Sequence, residues 1–293
     1  MEKEIRAFVP VHLCKFLRPG AVGEILLVTS SGIYLRIEER ILLLCDGTWG
    51  VLPIGIGIEN FADALARLRP RQGQPVSVRE KELILPSGSI RLLPRHPRNW
   101  EVEGAAPQPR YIRQAAEDLA ALRKQRGFSM LVMPLVLGDS RDDSLKQNPY
   151  CVLAYLQLSK LMAAFSQGAA GEIGTCVEKL LGLGDGLTPS ADDVLLGMLW
   201  VFRTLSAQQP ESAAVFREHI ARLCDQRTNQ ISAAYLKAII AGAPFERMEA
   251  VYQSLCGKEP LDIQPLVKIG SSSGSEMLLG MLIALRICGY DRS

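Results

Sequence analysis

The chain has 293 residues, 48% of them apolar and 22% charged, with 33 Lys+Arg against 31 Asp+Glu. That is enough apolar mass for one large domain or two ordinary ones, and it excludes a disordered chain. A net charge of +2 spreads no field that would collect nucleic acid or anionic lipid, so neither nucleic acid nor membrane is an expected partner.

The seven cysteines, Cys14, Cys45, Cys151, Cys176, Cys224, Cys256 and Cys288, are widely spaced and never form a CxxC pair. Buried, reduced thiols are expected, without a disulfide framework. Three histidines, His12, His96 and His219, are too few and too scattered for a His-based metal site. The longest uncharged stretch, Gln147 to Ser159, is 13 residues, short of the ~20 that a membrane helix needs. The first residues, Glu2, Lys3, Glu4 and Arg6, leave no apolar signal core, and the expected location is the cytoplasm.

From Val22 to about Leu93 short β-rich runs alternate with turn residues: Glu24–Val28, Ile33–Ile37, Ile41–Cys45, Trp49–Ile56, then Pro75–Val78, Leu83–Pro86 and Ile90–Leu93. Ser30-Ser31-Gly32 and Asp46-Gly47 sit at junctions where positive φ is wanted, so hairpins are expected. A short helix is predicted over Asn60–Leu68. The segment from Pro94 to Pro109 carries four prolines and reads as a linker or an outer loop. Beyond it the apolar spacing lengthens to about 3.6 and predicts helices over Tyr111–Arg126, Tyr150–Gln167, Cys176–Leu181, Asp192–Leu205, Glu211–Asp225, Ile231–Ala241, Phe245–Cys256 and Met277–Ile287. The run Met130–Leu137, interrupted by Pro134, fits a buried strand, a helix start or an extended connector equally well. The expected fold class is α+β: an antiparallel β-rich domain over 1–108 with a linker at its end, followed by a mainly α-helical domain over 109–293.

Two segments concentrate the chemistry. Gly182-Leu-Gly-Asp-Gly-Leu-Thr-Pro-Ser-Ala-Asp-Asp193 precedes the apolar run Val194–Phe202, and its alternate glycines suit a tight turn with close ligand approach. Thr188, with Pro189 at N1, or Ser190, boxed with Asp193, is the predicted N-cap. In the second, Gly270-Ser-Ser-Ser-Gly-Ser-Glu276 leads into Met277–Ile283. A shift of 83 residues places Ser190 on Ser273, Asp193 on Glu276 and the interior glycine Gly197 on Gly280. Both read as Ser-x-x-acid caps feeding similar helices. An interior helical glycine costs ~1 kcal/mol relative to alanine, so close packing between these helices is the expected compensation. They should cross near their glycines and bring their starts toward one pocket.

Free N–H groups at helix starts favour anions. Gly184, Gly186, Thr188, Ser190, Ser272, Ser273 and Gly274 are therefore candidate substrate- or anion-binding residues. Arg227, before a third helix that Thr228 or Asn229 would cap, is a candidate fork for a carboxylate or phosphate. Acids beside such donors suit Mg²⁺, with Asp192, Asp193 and Glu276 as candidate ligands. Asp192 and Asp193 point about 100° apart on a helix, so one of them should face the pocket. No nucleophile stands out as a catalytic residue.

The pattern Gly184-x-Gly186-Leu187-Thr188-Pro189-Ser190-x-Asp192-Asp193, with Leu196-Gly-Met-Leu199, resembles the signature of the AllH-type subunit of bacterial oxamate carbamoyltransferase and its wider family. Thr228-x-x-Ile231-Ser232 and Gly270-x-x-Ser273-Gly274 with Leu279-Gly280 resemble its later blocks. Asp185 stands where that pattern usually has Pro, Glu276 where it has Asp, and Ser271-Ser272 where it has His-Thr. The resemblance implies a carbamoyltransferase subunit acting on oxalurate and oxamate with carbamoyl phosphate in allantoin degradation, within a complex of different subunits. A non-catalytic assembly or regulatory subunit that binds a small anion is the alternative.

Overall fold

Alternation of apolar residues at every second position closes the N-terminal strands into a barrel. The computed structural model describes residues 4–98, 106–122, 127–139, 148–205 and 210–291. The chain divides into two compact units, Met1–Trp100 with Ala243–Arg247, and Glu101–Gly242 with Met248–Ser293.

The first unit contains β1 (Ile5–Pro10), α1 (Val11–Cys14), β2 (Val22–Val28), β3 (Gly32–Ile37), β4 (Arg40–Asp46), β5 (Gly55–Ile58), α2 (Phe61–Leu68), β6 (Pro75–Arg79), β7 (Glu82–Leu85) and β8 (Gly88–Arg95). The strands close in the order β1-β5-β4-β3-β2-β6-β7-β8. Their inward rows, among them Ile5/Ala7/Val9, Ile33/Leu35/Ile37 and Ile90/Leu92, fill the interior, as eight strands allow.

The expected all-antiparallel arrangement is corrected in two places, because β1 runs parallel to β8 and β4 parallel to β5. β1 lies between β5 and β8, which run in opposite directions, so it runs against β5 and with β8. It escapes sequence reading because charged residues flank and interrupt its short apolar alternation. Residues 49–54 are not strand: a 3₁₀ turn, Gly47–Trp49, precedes β5. Pro94, expected in the linker, continues β8 and pairs with Val9. The linker residues 99–105 lie outside the described residues, as do 123–126 at the end of the expected Tyr111–Arg126 helix. Ala243–Arg247 joins this unit through Glu246, whose carboxylate accepts the N–H groups of Val51 and Arg98, each at 2.8 Å.

The second unit is helical: α3 (Pro109–Ala120), α4 (Pro149–Gln167), α5 (Ala170–Leu180), α6 (Ser190–Thr204), α7 (Ser212–Arg227), α8 (Gln230–Ile240), α9 (Glu246–Leu255, of which Glu246 and Arg247 belong to the first unit), α10 (Gln264–Val267) and α11 (Ser273–Ile287). The ambiguous Met130–Leu137 run forms a 3₁₀ turn followed by one π-helical turn, not a strand. Every residue of α6 from Ser190 to Phe202, and of α11 from Gly274 to Leu285, is buried. These are the two central helices, apolar on all sides beyond their first turns, as buried helices are.

α6 and α11 cross at their glycines. A Cβ at Gly197 would overlap the carbonyl oxygen of Met277, and one at Gly280 would overlap that of Val194. The two contacts are the same contact shifted by 83 residues, so the crossing has an approximate internal two-fold symmetry. The crossing decides the sign of a substitution. In an isolated helix Gly280→Ala would stabilise by about 1 kcal/mol, whereas here overpacking should destabilise by about 1–3 kcal/mol. A lowered urea midpoint for Gly280→Ala is the expected result, and a raised midpoint would contradict the close crossing.

Candidate functional site

The crossing places the two helix starts side by side, with the Thr188 and Ser273 hydroxyls 3.0 Å apart. α6 begins at Ser190 and α11 at Ser273, and neither helix has a side-chain cap. The predicted Thr188, Ser190 and Ser273 caps are thus corrected. Their hydroxyls are drawn instead to buried carboxylates, a stronger demand than an N–H that the local backbone already satisfies. Asp192 N and Asp193 N, for example, both reach the Pro189 carbonyl.

The two helix starts face each other: the Ser190 hydroxyl lies toward the Glu276 carboxylate of α11 and the Ser273 hydroxyl toward the Asp193 carboxylate of α6, each favouring the charged form. Thr188 donates to Asp193 Oδ2 at 2.8 Å, and Ser272 donates to Glu276 Oε2 at 3.1 Å. Glu276 Oε1 accepts the Phe128 N–H at 2.9 Å. Next to it, Gly127 has φ +61° and no room for a Cβ against that carboxylate. Cys151 Sγ donates to the Gly127 carbonyl at 3.4 Å. Burial, with the nearby Glu276 charge, pushes this thiol up to about 11. Sequence reasoning missed Gly127, Phe128 and Cys151, which belong to no cap, motif or repeat.

Asp192 turns away from this group. Its Oδ1 accepts the Gly182 N–H at 2.8 Å, and its Oδ2 accepts the Thr228 hydroxyl and, at 2.7 Å, the Ser232 hydroxyl. Asn229 caps α8 through the N–H groups of Ile231 and Ser232, and its amide reaches the Leu187 carbonyl at 2.8 Å. Adjacent aspartates thus hold two different segments to the start of α6, as the angular step of a helix requires.

The candidate anion-binding residues do not form one cradle. Thr188, Ser190, Ser272 and Ser273 face the carboxylates. Gly184 and Gly186 turn the loop at φ +113° and +107°. Gly274 packs against the Leu266 carbonyl, where a Cβ would overlap. Arg227 lies apart at the end of α7, paired with Glu178 of α5.

The candidate magnesium ligands do not converge either. Among the described residues no group of three or more His, Cys, Asp or Glu is placed to hold a metal ion. Asp192 faces away, and Asp193 and Glu276 are surrounded by hydroxyl and N–H donors. The set does not fit Mg²⁺, which would need those oxygens for itself.

Asp192 and Asp193 are 1% exposed and Glu276 is 0% exposed. Burial holds all three carboxyls above their usual range, and for Asp193 the Glu276 charge adds to it. Hydrogen bonds from Thr228, Gly182 and Ser232 oppose the rise at Asp192.

Residues 180–285 match the family model described as oxamate carbamoyltransferase subunit AllH. The AllH match takes in Asp192 with Thr228 and Ser232, and Asp193 with Ser273 and Glu276, while Gly127, Phe128 and Cys151 lie outside it. The AllH-type resemblance of the motif blocks therefore holds over the stretch in which those blocks touch. Neither the curated proteins nor the solved structures contain a match to the chain.

A group with a raised native pKa stabilises the fold fully below its unfolded pKa, about 4 for a carboxyl, and loses that stabilisation as pH rises through the native value. Glu276→Gln keeps the shape and removes one such charge. Its melting temperature relative to the parent should therefore climb from pH 5 to pH 8, measured by differential scanning calorimetry. A difference that stays flat or falls would contradict the burial of an ionisable pair.

Proposed function

We propose that this chain is a subunit of an oxamate carbamoyltransferase, acting in the cytoplasm in allantoin degradation. The observation that carries the reading is the AllH match over 180–285, which coincides with the three motif segments tied together around the start of α6. Consistent with this, among the described residues no helix is long and apolar enough to cross a membrane.

In the proposed reaction a phosphate oxygen attacks the carbamoyl carbon of oxalurate. The bond to the amide nitrogen breaks, giving carbamoyl phosphate and oxamate, whose nitrogen takes up a proton. Both substrates are small anions, and the reaction needs charge placed to hold them and to stabilise a developing oxyanion. We assign substrate holding to the Gly182–Asp193 segment and its neighbours. Asp192 contributes by fixing the Gly182 turn and the Thr228–Ser232 segment in one geometry.

A second reading, a subunit that serves assembly alone, is favoured by one feature: the hydroxyls and carboxylates between the helix starts already satisfy one another. Omitting this chain from the reconstituted complex separates the two. An active-site subunit is required at any concentration, and its omission should abolish carbamoyl phosphate formation from oxalurate and phosphate. An assembly subunit acts by mass action. Activity restored by raising the concentration of the remaining subunits would overturn the first reading.

A further inference from the structure

The end of α5, the Gly182 turn and the end of α7 enclose an open cleft of about 470 Å³ lined by Glu178, Lys179, Leu181, Gly182, Leu183 and Arg227. That volume lies within the range of small-molecule sites. Its walls are held from beneath by one buried side chain. Asp192 takes the Gly182 N–H with one oxygen and the hydroxyl of Thr228, next to Arg227, with the other. Gly182 is pressed onto the Arg227 carbonyl, with φ +79° and no room for a Cβ.

Across the mouth, the Arg227 guanidinium is paired with the Glu178 carboxylate, and both side chains are about half exposed (48% and 46%). An exposed pair of this kind contributes little to stability. Glu178 thus occupies the place of an exchangeable carboxylate.

The charge balance narrows what could replace it. Lys179 and Arg227 outweigh Glu178 by one charge. The cleft also receives the carbonyl ends of α5 and α7, each equivalent to about half a negative charge, which cancel that surplus. A bare anion therefore gains little. A small acid that also carries an amide N–H uses both features, its carboxylate on Arg227 and its N–H on carbonyls that lack a partner in the next helical turn.

We infer that this cleft is the binding site for a small amide- or ureido-bearing carboxylate, that Arg227 is its anchor and Glu178 its internal competitor, and that Asp192 is the positioning residue beneath it. The inference rests on the functional reading above for the choice of acid, but its test needs no turnover.

Calorimetric titration of the full chain with oxamate, and separately with oxalate, reads the cleft directly. Oxamate should bind more tightly than oxalate, which lacks the N–H. Glu178→Gln, by removing the competitor, should tighten oxamate binding by up to about fivefold, the most that an exposed ion pair is worth. Arg227→Ala should weaken it about tenfold or more, with the melting temperature unchanged because the side chain is exposed. Asp192→Asn should weaken binding while Glu178→Gln still tightens it in that background. Equal binding of oxalate and oxamate, affinity unmoved by Glu178→Gln, or binding that survives Arg227→Ala would overturn the assignment. Binding as expected without carbamoyl transfer by the assembled complex would leave the cleft standing and remove only the enzymatic reading.

Discussion

The helical unit depends on two neighbouring carboxylates that helix geometry forces apart. Asp192 and Asp193 sit in the first turn of α6 and are almost fully buried, where an unpartnered carboxylate would be prohibitively costly. Each must therefore recruit donors, and the donors come from different places in the chain. Asp192 draws in the Gly182 turn and the start of α8, and Asp193 draws in the start of α11. Three segments distant in sequence are thereby gathered at one helix end.

The glycines make that gathering possible. Gly197 and Gly280 let α6 and α11 approach until backbone meets backbone, with Gly197 against the Met277 carbonyl and Gly280 against that of Val194. Only at that separation do short side chains such as Ser190 and Ser273 reach an acid on the other helix. The repeat of 83 residues is thus legible in space: each half supplies a serine, an acid and a glycine, and each uses the other's. The intrinsic cost of an interior helical glycine is offset by satisfied buried charge.

Much of this could be read from the residues. The change from alternating to 3.6-residue spacing near Pro109 separates strand-rich from helical sequence, and the paired glycines point to a crossing. What pattern cannot supply is the partner of a buried polar group. Ser-x-x-acid is a local capping signal, and local chemistry predicts a local bond. Here burial overrides it, because a carboxylate inside a core outcompetes an N–H that can reach the Pro189 carbonyl. Phe128 and Cys151 enter for the same reason: nothing in their own neighbourhoods marks them, and only the fold sets them against Glu276. The strand β1 was hidden differently, since three inward residues among charges make too short an alternation to stand out.

The direction of these pairings is the central claim, and a double-mutant cycle on unfolding free energy measures it. The pairs are Ser190→Ala with Glu276→Gln, across the two helices, and Ser190→Ala with Asp193→Asn, within one. Pairing between helices predicts a coupling of about 0.5 kcal/mol or more for the first pair and additivity for the second. Additivity across the helices together with coupling within α6 would restore the local capping box and contradict the account.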